Sequence, residues 1–264
     1  MGNRILRKGL LILEHLASSR NAVSVMELCE LVGVHKTSIY RYLATLTECG
    51  YVRKATSGYY TLDMKILELG SEMLKRLPLR ETAHQFLVEL SEATSKTAHL
   101  AVLDGLDVIY LDKVESQKTL PIISRIGSRA PAHCTAVGKA LLSVLPTPIL
   151  ETLLQSAKLE PYTETTIVDP QGLLEELART RDRGYACDEG EHEPYVRCFA
   201  APVSGYGGQT IAAISITGLI DDFEEPSARL ELLDHLRRTA ASTSNALGSM
   251  VSQPDAIEGG AGCF

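Results

Sequence analysis

Residues 24–62 carry four local signals in an order that few folds accommodate. Ser24-Val-Met-Glu27 is a capping box, in which a Ser hydroxyl accepts from an early helix amide and a Glu reaches back to the cap. The helix it opens is expected to turn Leu28, Leu31 and Val32 inward, and Gly33 supplies a left-handed stop. A second helix follows within a few residues, from about Lys36 to Cys49. At about 100° per residue, Ile39, Leu43 and Leu46 share one face, while Thr37, Arg41, Ala44 and Glu48 share the opposite one. Gly50 ends it. Tyr51–Lys54 and Tyr59–Leu62 then read as short strands around Thr56-Ser57-Gly58, a hairpin turn. Leu6, Leu10, Leu13 and Ala17 repeat at helical spacing ahead of these elements, so residues 5–18 read as a further amphipathic helix. Residues 5–63 therefore form a winged helix-turn-helix.

Charge separates this segment from the rest of the chain. Residues 1–64 hold eight Lys/Arg against five Asp/Glu, an excess of +3. The remainder holds 18 basic and 28 acidic residues, or −10, for a total of −7. A basic module on an acidic body is the balance expected of a nucleic-acid-binding segment joined to a second domain. The chain has 264 residues, which fits about two domains at roughly 150 residues each. Its longest apolar runs, such as Ile211–Ile216, are far shorter than the roughly 18 residues a membrane helix requires. Gly9–Leu13 follows Arg4, Arg7 and Lys8 in the manner of a signal peptide, but Glu14 and His15 end the run early. Six scattered cysteines without a CxxC pair read as reduced thiols. A cytoplasmic protein is expected.

From Lys65 to about Ala93 the pattern is helical, and Pro78 divides it into a linker helix at 64–77 and the first helix of a second domain at 78–251. Thr97–Leu103 and Val108–Val114 read as strands around the turn signal Asp104-Gly105. Leu120–Ile126, Cys198–Val203 and Thr210–Thr217 are further expected strands. Helices are expected at Ala136–Val144, Pro148–Gln155, Pro170–Arg183 and Pro226–Val251, followed by a flexible tail at 252–264. Strands joined by hairpins and mixed with helices predict an α+β fold with an antiparallel sheet.

Three stretches resemble the IclR family of bacterial transcriptional regulators. The first is Leu31-Val-Gly-Val-His-Lys-Thr-Ser-Ile-Tyr-Arg-Tyr-Leu43 with Gly50-Tyr-Val52, similar to that family's recognition helix and its exit into the wing. The second is Ala132-His-Cys-Thr-Ala-Val-Gly-Lys-Ala-Leu-Leu142. The third runs through Gly184-Tyr-Ala-Cys-Asp188, Glu191, Arg197-Cys-Phe-Ala-Ala-Pro-Val203 and Ala213-Ile-Ser-Ile-Thr217. The resemblance implies an effector-binding domain of GAF-like fold behind the winged helix. It also implies a regulator that binds a palindromic double-stranded operator as a homodimer or homotetramer, under control of a small carboxylic acid. The chain departs from the family pattern at Tyr195, where Gly is usual, and at Phe199, where Ile or Leu is common. Both are expected to add an aromatic wall to the pocket.

Off the apolar face of the recognition helix, Lys36, Thr37, Ser38, Tyr40 and Arg41 supply the donors a major groove takes, and Arg53 and Lys54 on the wing would meet phosphates. An ordinary solvated helix face has the same composition. In the second domain Ala136, Val137 and Gly138 open a helix whose first amides suit an anion. Asp188, Cys198, Ser215 and Thr217 match the family's ligand-contacting positions. Ser215 and Thr217 are two apart on a strand and so share a face. The run Asp188–Glu193 lacks any metal-ligand spacing and reads as a solvated acidic loop. No cofactor or metal is expected. Cys134 or Cys198 beside His133 imitates a nucleophile pair without an orienting third group, so an enzyme is not expected. A ligand sensor whose helix-turn-helix engages protein rather than DNA is the alternative.

Overall fold

The second strand of the wing lies in the middle of a three-stranded sheet, because the residues just before the second helix also pair with it. The computed structural model describes residues 4–75, 78–116, 124–155 and 157–250, and the chain divides into two units, Met1–Leu77 and Pro78–Phe264. In the first unit α1 (Arg4–Ser18) precedes β1 (Val23–Ser24), α2 (Val25–Val32), α3 (Lys36–Glu48), β2 (Val52–Thr56), β3 (Tyr59–Leu62) and α4 (Met64–Lys75). The sheet order is β1-β3-β2. Ser24 caps α2 by accepting from the Glu27 amide at 3.2 Å. The other half of the capping box is not made, since the Glu27 carboxylate meets His15 Nε2 at 3.1 Å instead. Gly33 adopts φ 63°, ψ 49° and its amide donates to the Cys29 carbonyl, which frees the chain to start α3 three residues later.

The core of this unit joins Ile12 and Leu16 to Leu28, Ile39, Leu43, Val52 and Tyr60. The stripe expected on α1 is therefore displaced. Leu6 and Leu10 stand in solvent with Ile5, and Leu31 of α2 is exposed as well. On α4, Met64, Leu67 and Leu69 are exposed apolar residues.

The second unit runs α5 (Pro78–Thr94), β4 (Thr97–Asp104), β5 (Asp107–Val114), β6 (Arg129–Pro131), α6 (Ala136–Ser143), α7 (Thr147–Gln155), α8 (Pro170–Arg183), β7 (Ala186–Glu189), β8 (Val196–Ser204), β9 (Thr210–Leu219) and α9 (Pro226–Met250). The six strands form one antiparallel sheet in the order β6-β5-β4-β9-β8-β7. A mixed helix-and-sheet architecture was expected and is found. Of the strand expected at Leu120–Ile126, residues 120–123 lie outside the described residues, and Ser124–Ile126 form coil and turn. The expected tail, 252–264, also lies outside them, as does Cys263.

Period-two alternation sorts the sheet residues onto two faces. Phe199, Ile214 and Ile216 are buried on the face where α5 and α9 pack. Ala101, Ala186, Ala200 and Ala213 lie on the other face, in one cluster with Ala136, Val137 and Ala140 of α6. Alanine on both sides lets α6 lie close to the sheet. Gly138 carries this furthest, since an added Cβ would sit 2.2 Å from the Ala132 carbonyl oxygen. Among the described residues no helix is long and apolar enough to cross a membrane.

Candidate functional sites

Burying Ile39 and Leu43 fixes which side of α3 is free. Thr37 and Arg41 lie at the centre of the exposed side. Lys36 and Tyr40 form one flank, with the Lys36 ammonium 6.0 Å from the Tyr40 ring centroid. Ser38, half-buried, forms the other flank and shares a shallow depression with Ile5, Arg41, Tyr42 and Thr45. The side chains singled out on this helix thus spread over one convex solvent face. On the wing, Arg53 and Lys54 are both exposed. They are consecutive in β2, opposite Thr61 and Tyr60, so they point to opposite faces of the hairpin.

In the second unit the α6 face of the sheet ends in a cavity of about 350 Å³. Its floor is a polar row set by strand register: Asp188 of β7 opposes Cys198 of β8, which opposes Thr217 of β9. Ser215 lies two residues further along and opposes His99 of β4. Ala136 and Val137, the first residues of α6, line the cavity with Thr135, whose side chain makes no cap bond and leaves the helix end to the cavity. Six of the seven expected pocket residues line it. Gly138 is not among the lining residues and packs on Ala132 instead.

The sequence alone did not single out His99, Tyr110, Ser124 and Arg129, and it left His192 and Glu193 in a solvated acidic loop; all six also line the cavity. His99 is central. Its Nε2 is 2.7 Å from the Ser124 hydroxyl, and its Nδ1 is 3.4 Å from Thr217 Oγ1 and 3.5 Å from Ser215 Oγ. Burial, reinforced by Lys113, pushes the ring down to about 3, so it is a neutral imidazole. The available signal was a lone histidine in the apolar strand Thr97–Leu103. Tyr110 packs against it with ring centroids 5.2 Å apart and the ring planes tilted by 52°. Arg129 at the rim is committed to Asp104 and Asp107. Tyr195 lines the cavity as expected but is 77% exposed. Phe199 does not line it. One residue on from Cys198, it faces the other side of the sheet, where its ring meets Phe223 at 5.3 Å.

The acidic run is also not the solvated loop expected from its composition. Asp188 is 3% exposed and accepts from the Glu191 amide at 2.7 Å, and burial pushes its carboxyl up to about 7. Glu191 is buried in an ion pair with Lys139 of α6. The carbonyls of Gly190 and Glu191 accept from Thr163 and Thr166 at 2.7 and 2.6 Å. The loop is held inside because alternate residues leaving β7 still face the covered side of the sheet, and Lys139 supplies a counter-charge.

Among the described residues no three His, Cys, Asp or Glu side chains converge to hold a metal ion. Cys134 is pushed up to about 12, Cys198 is raised well above its usual range by burial, and His133 Nε2 is engaged with the Glu160 carbonyl at 3.0 Å. Neither thiol is activated as a nucleophile. The cavity offers hydroxyls, a neutral imidazole, helix amides and one buried carboxyl, which suits binding.

The model of the IclR helix-turn-helix domain matches residues 5–55, and that of the bacterial transcriptional regulator IclR C-terminal domain matches 71–245. The HTH-type transcriptional regulator XynR of Escherichia coli (strain K12) is 34% identical over 245 residues, covering 91% of this chain and 96% of XynR. The crystal structure of the Thermotoga maritima IclR superposes with a TM-score of 0.76 at 33% identity, covering 92% of this chain and 98% of that one. An IclR homolog from Microbacterium hydrocarbonoxydans complexed with 4-hydroxybenzoate shares the fold at a TM-score of 0.80 and 22% identity, over 93% of this chain and 99% of that one.

Proposed function

This chain belongs to the IclR family of bacterial transcriptional regulators, DNA-binding proteins with a C-terminal ligand-binding domain, and we propose that a small organic acid in its 350 Å³ cavity sets how tightly it holds an operator. The carrying observation is that Ala136 and Val137 of α6 converge on one cavity with Asp188, Cys198, Ser215 and Thr217 of β7, β8 and β9, about fifty residues and more further along the chain. The helix amides and the hydroxyls are donors for a carboxylate, and Asp188 beside them needs either a proton of its own or a ligand group that donates to it. A hydroxylated or amino carboxylic acid meets both demands. The relative solved with 4-hydroxybenzoate is consistent with that class.

Lys36, Thr37, Ser38, Tyr40 and Arg41 read the major groove, and Arg53 or Lys54 meets backbone phosphate. The acid acts by binding two states of the protein with different affinity. Paired heads then read two half-sites, so the operator is an imperfect palindrome and the protein at least a dimer. The exposed apolar residues Ile5, Leu6 and Leu10 of α1 and Met64 and Leu67 of α4 support self-association. Such a protein works in the cytoplasm.

The test is a thermal-shift screen against small metabolic acids, followed by the same acids in a DNA-binding assay on the promoter of its own gene. At least one acid is expected to raise the melting temperature and to shift the DNA-binding curve. Ser215→Ala is expected to require more of it. A Ser215→Ala variant that responds like wild type, or a monomer that binds a single asymmetric half-site with full affinity, refutes the reading.

A further inference from the structure

Resting on the reading that the cavity holds an organic acid, we propose that Asp188 meets that acid as a neutral carboxyl, donating a hydrogen bond to the bound carboxylate, so that each acid enters together with one proton from solvent.

The geometry puts two carboxylates in one small space. Asp188 lies in the floor row beside Cys198 and Thr217, and the described lining offers no uncommitted cation to either of them. Arg129 is held by Asp104 and Asp107, and the Lys139 ammonium by Glu191. Among the described groups that face Asp188, Lys139 is the cation, and the others are neutral or negative. From the loop after β7 come the Glu191 and His192 amides, the Glu191 carboxylate and Glu193; from α6 comes Lys139; from the turn before α6 comes Cys134; from β8 comes Cys198; and from β5 comes Tyr110. Burial holds both thiols and the phenol in their protonated forms and pushes His192 down toward its neutral form.

Desolvation already lifts the Asp188 carboxyl to about 7. A second negative charge beside it acts in the same direction. Two carboxylates at contact are stable when they share one proton. The balance is simple: an O–H bond forms at Asp188, the proton comes from the buffer, and no bond in the ligand breaks. The protonated carboxyl becomes a donor where the ionised one could only accept. An effector carrying an ammonium group would instead keep Asp188 ionised and take up no proton.

The test is calorimetry on the full chain with 4-hydroxybenzoate, lactate and gluconate as probes, at pH 8 in Tris and in Hepes, whose heats of ionisation differ. The expected result is a buffer-dependent heat equivalent to nearly one proton taken up per acid bound. The Kd is expected to be flat below about pH 6 and to rise toward tenfold per pH unit above about 8, as linkage requires. Asp188→Asn, whose carboxamide donates without titrating, is expected to bind with no proton uptake and a pH-independent Kd. Should that variant fail to fold, the wild-type buffer pair decides alone. Equal heats in both buffers with a pH-independent Kd overturn the proposal while leaving the organic-acid reading in place. Absence of binding by every probe, and by the wider acid screen, removes the reading itself and the proposal with it.

Discussion

Lys139 and Glu191 form an ion pair that neither side chain shares with solvent, and the second carboxylate oxygen of Glu191 has no hydrogen-bond partner. Lys139 belongs to α6 and Glu191 to the loop after β7, so the pair fastens the helix that opens onto the cavity to the loop that follows Asp188. A buried pair of this kind adds little over an apolar pair of equal volume, yet losing one partner strands a charge. Lys139→Met is expected to lower unfolding stability at pH 8 by roughly 3–5 kcal/mol, and combining it with Glu191→Leu to recover most of that loss. Urea titrations of the three variants check this. A double variant no more stable than the single one would show that the pair is not what holds the loop.

The pH dependence of stability follows from Asp188. Its folded carboxyl titrates near 7 instead of 3.8, so between those values the native state holds a proton that the unfolded chain has released. Stability contributed by the protonated form is therefore present at low pH and lost as pH rises toward 7. The contribution is at most about 4 kcal/mol, at 1.36 kcal/mol per pKa unit. Asp188→Asn is expected to flatten the decline between pH 5 and 7.5 and to be the more stable protein at pH 8. Parallel wild-type and variant curves over that range would contradict the assignment.

Much of the DNA-binding half was legible because its signals are local. The Ser24 cap, the Gly33 stop and the apolar stripe Ile39–Leu43 each act within one turn of chain. The displaced face of α1 was not legible, because Ile12 and Leu16 are selected by a core that α2, α3 and the wing assemble. In the second unit, residues such as Ser215 and Thr217 could be placed on one face by alternation. His99 and Tyr110 could not be joined to them, since their proximity depends on the β4–β9 register across more than a hundred residues. The burial of Asp188 and Glu191 was hidden for the same reason: composition shows five polar residues around Gly190, while Lys139, which pairs with Glu191, lies about fifty residues earlier.

The surface of α3 and the wing makes separable predictions. Arg41→Ala is expected to weaken binding to the specific operator by roughly 1–3 kcal/mol, the range for a bidentate base contact, and non-specific binding by far less. Arg53→Ala and Lys54→Ala are expected to differ from each other, because the two side chains leave opposite faces of β2. One should weaken all DNA alike and reduce the salt slope by about one, and the other should do neither. Electrophoretic mobility titrations on specific and scrambled duplexes at several salt concentrations separate these cases. Equal losses for Arg41→Ala on both duplexes would move base reading off this helix face.

Gly138 ties the architecture of the second unit to its cavity. A Cβ there would lie 2.2 Å from the Ala132 carbonyl oxygen and 2.3 Å from the Ala132 Cα, both backbone atoms. No rotamer relieves such an overlap, so α6 or the turn before it must shift, and Ala136 and Val137 at the cavity wall shift with it. Gly138→Ala is expected to cost roughly 1–3 kcal/mol, the range for overpacking a filled core. It is also expected to weaken acid binding, although Gly138 is not itself at the lining. Gly70 of α4 is the control: among the described residues, no atom outside its own stretch of helix backbone lies within 4 Å of its added Cβ. Gly70→Ala should gain up to about 1 kcal/mol from helix propensity. Thermal unfolding of both variants, with calorimetry of the bound acid, gives the comparison. If Gly138→Ala were as stable as wild type and bound the acid equally well, the contact of α6 with Ala132 would not be what sets the cavity wall.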